Sequence, residues 1–339
     1  KSNHVISSPE LHQSKLQLIF RTGTKVDSGK LDPQIGHFLN NQVLEFISIK
    51  EGKYWVGNNS HSTSSPIHQC AVKHFKISPY LVTQSLWVKM GLQNHSKYKG
   101  ATRPVENISF YDAIQFCNRL SLHRDLLPFY DIQIAEEFQQ KYTDSSKYIR
   151  SDHIENVILN IDANGYRLPF EQEWEIAVRG DISEEETRAK SRKKNSTIDL
   201  KEYFLNPQPK DGRQFSGEQE ELEWDAYGWF SQRTGTRPVG LLEPIGKGLY
   251  DAIGNVFEWC YDTYTSYSNQ IEEVQLRLRN EKISIFQKQQ TSLHTKEQLR
   301  TIRGGSWSLS HTFAHPSARF AQPSKRKSSS IGMRLVRNG

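Results

Sequence analysis

His311 and His315, four residues apart, are a pair whose spacing could hold a metal ion in this 339-residue chain. On a helix such a pair shares one face, and zinc hydrolases use it with a glutamate in between. Here the intervening residues are Thr312, Phe313 and Ala314, and Pro316 follows directly. The segment therefore reads as non-helical and without the hydrolase glutamate. Sulfur chemistry rests on three cysteines, Cys70, Cys117 and Cys260. None stands in a C-x-x-C pair, and an odd, sparse set is not a disulfide framework, so at most one bridge can form. No G-x-S-x-G elbow and no phosphate-binding P-loop occurs. Two carboxylates, Asp251 and Glu258, share the short stretch LYDAIGNVFEW. At that spacing they repel unless a cation or several N–H groups lie between them.

The elements that must position these groups are short. LEFISIKEGKYWVGNN reads as two strands, Phe46–Ile49 and Tyr54–Val56, around a Lys-Glu-Gly-Lys turn. CAVKHFKISPYLVTQSLW gives a third strand, then a short helix capped by Thr83 with Leu86, Trp87 and Met90 inward. The clearest helix begins at Ser109, where Asp112 completes a capping box. Ala113, Phe116, Cys117 and Leu120 follow at i, i+3, i+4 and i+7, a single apolar stripe, so Cys117 reads as a buried structural thiol. Trp174, Ala177 and Val178 mark a further helix. IGMRLVR, residues 331–337, alternates as a closing strand.

Composition fits that economy. Apolar residues make up 35 % of the chain and the mean hydropathy is −0.70, yet 7 Trp, 14 Tyr and 16 Phe exclude general disorder. A net charge of +6 is compatible with acidic partners but does not demand nucleic acid. No apolar run approaches the ~18 residues of a membrane helix. Residues 1–40 read as an arm or peripheral cover. Two polar excursions, 181–223 and 269–298, read as solvated insertions.

Four segments in order carry a resemblance: RPVENISFYDAIQFCNRLS, NGYRLPFEQEWEIAVRG, GLYDAIGNVFEWCYD, and IRGGSW with IGMRLVR. Together they resemble the successive signatures of the formylglycine-generating-enzyme family, an elaboration of the C-type lectin fold. The resemblance covers roughly residues 44–337. It implies an irregular α+β fold, one large domain over 41–339, and an antiparallel strand pair near the C-terminus. It also implies a C-terminal variable region at about 303–337. The family's oxidase activity uses copper and two cysteines just after the Gly-Gly-Ser-aromatic signature. Those positions fall at about Leu309 and Ala314, and no cysteine follows Cys260. Copper(I) needs soft thiolates, so the expectation is no enzyme and no required cofactor. The family often holds a structural calcium at the turn matching Asp251, Gly254, Val256 and Glu258, whose oxygens would suit that ion. Hydrogen bonds to the turn are the other way to hold the same carboxylates.

An emptied site on this frame resembles a second branch of the family, the variable proteins of diversity-generating retroelements. There, adenine-directed mutagenesis turns Asn codons into a restricted set that includes Ser, Thr, Ala, Phe, Leu, Pro, His and Arg. The Ser, Leu, Thr, Phe, Ala, His and Pro residues of the window 308–330 lie in that set, whereas Gln322, Lys325 and Lys327 fall outside it and would be fixed positions. The expected variable, ligand-binding positions are Ser308, Leu309, Ser310, Thr312, Phe313, Ala314, Ser317, Phe320, Ala321, Ser328, Ser329 and Ser330. Phe313 and Phe320 would be the aromatic anchors. No Asp or Glu follows Glu297, while Arg319, Lys325, Arg326 and Lys327 cluster, so the face should be basic. The resemblance implies a monomer that binds a protein or other macromolecule rather than nucleic acid. It further implies export to the cell surface as an outer-membrane lipoprotein, with a lipid anchor upstream of Lys1. The competing expectation is an oxidative enzyme of the same family with unrecognised chemistry.

Overall fold

The structure, a computed structural model, describes residues 46–58, 63–142, 147–180, 224–267 and 298–339. The arm at 1–40, the excursion at 181–223 and all but Gln298 of the second excursion lie outside the described residues.

Two four-stranded sheets organise the fold, and the closing segment IGMRLVR joins them. Ile331–Gly332 runs parallel to Phe257–Thr263 at the edge of one sheet. After Met333 the chain enters the other sheet as Arg334–Asn338, between Phe75–Leu81 and Tyr166–Arg167, antiparallel to both. Val336 stands opposite Ile77 on one side and Arg167 on the other. Arg334, Leu335 and Val336 are all buried, so both faces of this strand are covered. The first sheet is completed by Ile47–Ile49, which pairs with Phe75–Leu81. In the second, Leu299–Arg303 lies between Phe257–Thr263 and Phe320–Pro323, antiparallel to each. This last pair is the antiparallel ribbon that the resemblance implies near the C-terminus.

Among the described residues, three α-helices cover the sheets. Gln84–Lys89 is capped by Thr83, whose hydroxyl accepts from Leu86 N at 3.2 Å. Phe110–His123 carries the reciprocal capping box: Ser109 N donates to Asp112 Oδ2 at 2.7 Å and Asp112 N to Ser109 Oγ at 3.1 Å. Its stripe of Ala113, Phe116, Cys117 and Leu120 is fully buried. Burying each of the larger members contributes about 1.5–3 kcal/mol. Phe116 stacks on Trp87 with centroids 5.0 Å apart, which docks the two helices. Glu171–Arg179 seals the other side, with Trp174, Ala177 and Val178 buried.

Two local expectations need correction. The residues around Lys50–Lys53 do not close a hairpin: Ile47–Ile49 joins the first sheet, whereas Gly52–Val56 pairs with His68–Val72 in a separate ribbon. The expected single strand beyond Cys70 is two strands, His68–Val72 and Phe75–Leu81, broken at Lys73 and His74. Side-chain alternation reports a strand's faces but not its partner, and partner choice here is settled by contacts distant in sequence.

Candidate ligand-binding face

The frame begins with Arg303, which is fully buried at the end of its strand. Its guanidinium donates to Glu175 and, at 2.6 Å, to the carbonyl of Ala318, and it lies over the Trp174 ring. Glu175 also pairs with Arg179 at 2.9 Å and accepts from Tyr267 Oη at 2.8 Å. Burial alone would push the Glu175 carboxyl up, but the Arg179 and Arg303 charges outweigh it and hold it down at about 2. The acid stays ionised and anchors the base of the loop.

Gly304 and Gly305 then turn the chain at φ +92° and +74°. A Cβ on Gly304 would sit 2.7 Å from the Ala252 carbonyl oxygen, so only glycine fits. Gly304 O accepts from Gly254 N at 2.7 Å, and Trp307 N donates to Asn255 O at 2.8 Å, clamping the GGSW turn to GNVFEW. The Trp307 indole N–H donates to Ser329 O at 3.0 Å, closing the mouth of the 308–330 segment. Tyr98 packs edge-on against Trp307 with centroids 5.1 Å apart.

Between those clamps the segment divides into a displayed part and an inward part. Ser308, Thr312, Phe313, Lys325, Arg326 and Lys327 are exposed, and Phe313 has 48 % of its surface open. Leu309, Ser310, Phe320, Ala321, Ser328, Ser329 and Ser330 are half-buried. Phe313 and Phe320 lie 6.3 Å apart, and Phe320 packs in turn on Phe257 at 5.2 Å. Ala314 and Ser317, expected on the face, are buried. Ala314 fits under Gly305, and Ser317 bonds through Oγ to His315 Nδ1 at 2.7 Å. Arg319, expected among the displayed cations, is buried as well. It forms a bidentate pair with Glu171 at 2.5 and 2.7 Å and stacks over Tyr267. A guanidinium this deep is stable only with its charge paired.

The two histidines serve structure. His311 opens a 3₁₀ turn, His311–Phe313, and stacks on Trp224 with centroids 5.3 Å apart, whereas His315 is turned inward to Ser317. Cys70, Cys117 and Cys260 are all buried and unbridged. Burial pushes the Cys70 thiol up to about 12 and raises the other two as well, so none is a ready thiolate.

The carboxylate turn holds protein donors. Asp251 Oδ2 accepts from Gly240 N at 2.7 Å and Oδ1 from Asn255 Nδ2 at 3.1 Å. Both oxygens of Glu258 bond to Arg334, at 2.8 and 2.9 Å, and Trp174 Nε1 donates to Oε2 at 2.9 Å. A guanidinium already satisfies one carboxylate of the expected calcium set of Asp251, Gly254, Val256 and Glu258, so the set as arranged does not fit that ion. Among the described residues no group of three or more His, Cys, Asp or Glu is disposed to hold a metal. Burial pushes the Asp251 carboxyl up to about 6, against the hydrogen bonds from Gly240 and Asn255. The folded state thus holds this proton more tightly than the unfolded chain. That stabilisation is fully present below about pH 4, is lost as the pH rises to about 6, and is absent above. The stability of Asp251→Asn relative to wild type should therefore rise across that interval in chemical denaturation and then level off. Calcium or a chelator should leave both melting curves in place. A pH-independent difference, or a calcium-dependent melt, would refute this account of the turn.

Comparison with known proteins agrees with this geometry. Residues 33–339 match the family model described as a sulfatase-modifying factor enzyme 1-like domain. The chain is 31 % identical over 223 residues to the protein named chaperone protein LppX of Paenibacillus barcinonensis, spanning 65 % of this chain and 72 % of that one. It is 33 % identical over 102 residues to the formylglycine-generating enzyme of Thermomonospora curvata, spanning 30 % of this chain and 29 % of the enzyme. In three dimensions it resembles Treponema denticola variable protein 1, with a TM-score of 0.61 at 24 % identity over 87 % of this chain and 95 % of that one.

Proposed function

Since the chain belongs to the sulfatase-modifying factor enzyme 1-like family, we propose that it is a member that binds a ligand without catalysis. The observation that carries this reading is the state of the family's copper positions. Leu309 is a half-buried leucine packed on the core, Ala314 is buried beneath Gly305, and the three thiols are sequestered elsewhere. Thiolate-dependent oxidation has no sulfur to use there. The names of two relatives are consistent with binding: a chaperone holds another molecule without transforming it, and variable protein 1 shares the fold. The ligand is a protein or other macromolecule. It meets the surface of Ser308, Thr312, Phe313 and the half-buried residues around Phe320. Lys325 and Arg326 favour an acidic partner, whereas Lys327 is already paired with Asp112 at 2.8 Å.

The finer reading is that a retroelement diversifies the outward positions and that the protein is exported, lipid-anchored and displayed at the cell surface. The division between buried and displayed residues supports this, because Ala314, Ser317 and Arg319 would be fixed by packing while their neighbours vary. Sequencing downstream of the gene tests it. A near-copy of the codons for 308–330, differing only at adenines, is expected; lack of such a copy and of a reverse transcriptase would defeat the retroelement reading.

Binding is tested separately. Peptides selected from a random display library against the purified chain should lose about 2 kcal/mol or more of affinity for Phe313→Ala/Phe320→Ala. Phe313→Ala alone should leave the melting temperature nearly unchanged, because the ring is exposed. Phe320→Ala also removes packing on Phe257 and should lower it. Peptides that bind the double variant as tightly as the parent would remove this face from consideration.

A further inference from the structure

The tetrapeptide Thr-Arg-Pro-Val occurs twice, at 102–105 and 236–239. The fold lays the two copies against each other: Val239 N donates to Thr102 O at 2.9 Å. In each copy the proline biases the preceding arginine toward extended backbone, and the threonine and valine are buried. Arg103 and Arg237 are thereby brought into one neighbourhood, half-buried.

Two guanidinium groups do not gather without a reason. Nη1 of Arg103 and Nε of Arg237 are buried with no hydrogen-bond partner, and so is the indole N–H of Trp229. Arg237 lies 5.4 Å over the Trp229 ring, which places that third donor in the same neighbourhood. Arg237 Nη2 reaches only the side-chain oxygen of Gln232, at 3.3 Å, a neutral partner. The acid nearest Arg103 in sequence, Glu106, directs Oε1 to Tyr98 N at 2.8 Å. Desolvation, and after it repulsion from Arg237, lowers the Arg103 pKa, so the Arg237 charge is felt at Arg103. Buried donors of this kind cost stability until something accepts from them.

We propose that Arg103, Arg237 and the Trp229 indole form a subsite for a doubly charged tetrahedral oxyanion, a phosphate or sulfate group. Guanidinium groups present paired N–H donors that match such oxygens, and two positive charges balance a dianion. The subsite borders the displayed segment. Gln232 N donates to Trp307 O at 2.7 Å, Ser231 N to Leu309 O at 2.9 Å, and Asn255 N to Trp229 O at 3.0 Å. An acidic group on a ligand seated at Ser308 and Leu309 would lie within reach of it. The subsite rests on its own donors, so it stands even if the displayed face binds nothing.

The test is thermal denaturation of the full chain in inorganic phosphate, in sulfate and in chloride at matched ionic strength. At ten times its dissociation constant, phosphate or sulfate should raise the melting temperature by about 2–4 °C over chloride. Arg103→Gln and Arg237→Gln should each abolish that increment. In chloride each variant should melt at or above the wild-type temperature, because removing one cation relieves the other. A structural role for either arginine would lower it instead. Free phosphate and a phosphate carried on a macromolecule are separated by adding a phosphopeptide and its unphosphorylated twin to the same assay. Equal melting in all three salts would overturn the proposal, as would variants that keep the full phosphate increment. Peptide binding at the Phe313 face with no anion effect would leave the face intact and dismiss the subsite alone.

Discussion

Arg334→Met is expected to lower the free energy of unfolding by about 3–5 kcal/mol, the range for stripping one partner from a buried ion pair. Arg334 and Glu258 are both inaccessible, and the pair is bidentate. The same guanidinium donates to the carbonyls of Ser78, Pro79 and Tyr250 at 3.1, 2.7 and 2.8 Å. Removing it leaves a buried carboxylate with the Trp174 indole as its remaining donor among the described residues, and three carbonyls without that donor. The double change Arg334→Met/Glu258→Leu removes the charge with its partner and should recover much of the loss. Urea denaturation of the two variants decides the matter. If the single and double changes proved equally unstable, the cost would lie in packing rather than in an orphaned charge.

Gly304→Ala should cost about 2–4 kcal/mol, from left-handed backbone strain and a clash with backbone. The φ of +92° resists any side chain, and the new methyl would meet the Ala252 carbonyl at 2.7 Å. Relief requires moving either strand end, which stretches the bond from Gly254 N to Gly304 O. Beyond stability, the clamp between GGSW and GNVFEW should loosen, and selected peptides should bind more weakly even though no displayed residue has changed. A variant with parental stability would show that this turn adapts.

How much of this could be read in the chain depends on how local the determining contacts are. The helix Phe110–His123 was legible because its capping box and stripe lie within twelve residues of one another. The Gly-Gly turn and closing strand were legible for similar reasons, one by backbone requirement and the other by alternation. Ala314 and Ser317 were misplaced onto the face because small residues carry no preference between core and surface. Arg319 was misread because its partner, Glu171, is 148 positions away. The twin Thr-Arg-Pro-Val segments were visible in the string, but only the fold shows that they meet. The partner of Glu258 was hidden in the same way: nothing near Glu258 announces that Arg334 will take both its oxygens.

The position of Arg334–Asn338 has a consequence for synthesis. This strand lies between two others in its sheet, yet it is encoded after the 308–330 segment. The sheet cannot be completed while those residues are still inside the ribosome, so the domain closes only after the 308–330 segment has been translated. A frameshift or stop codon arising within that stretch would delete both the inner strand and the arginine that neutralises Glu258. Such products would never reach a compact state and would be open to proteolysis. The fold thereby acts as a proofreader of its own open reading frame, passing changes of side chain and discarding changes of frame.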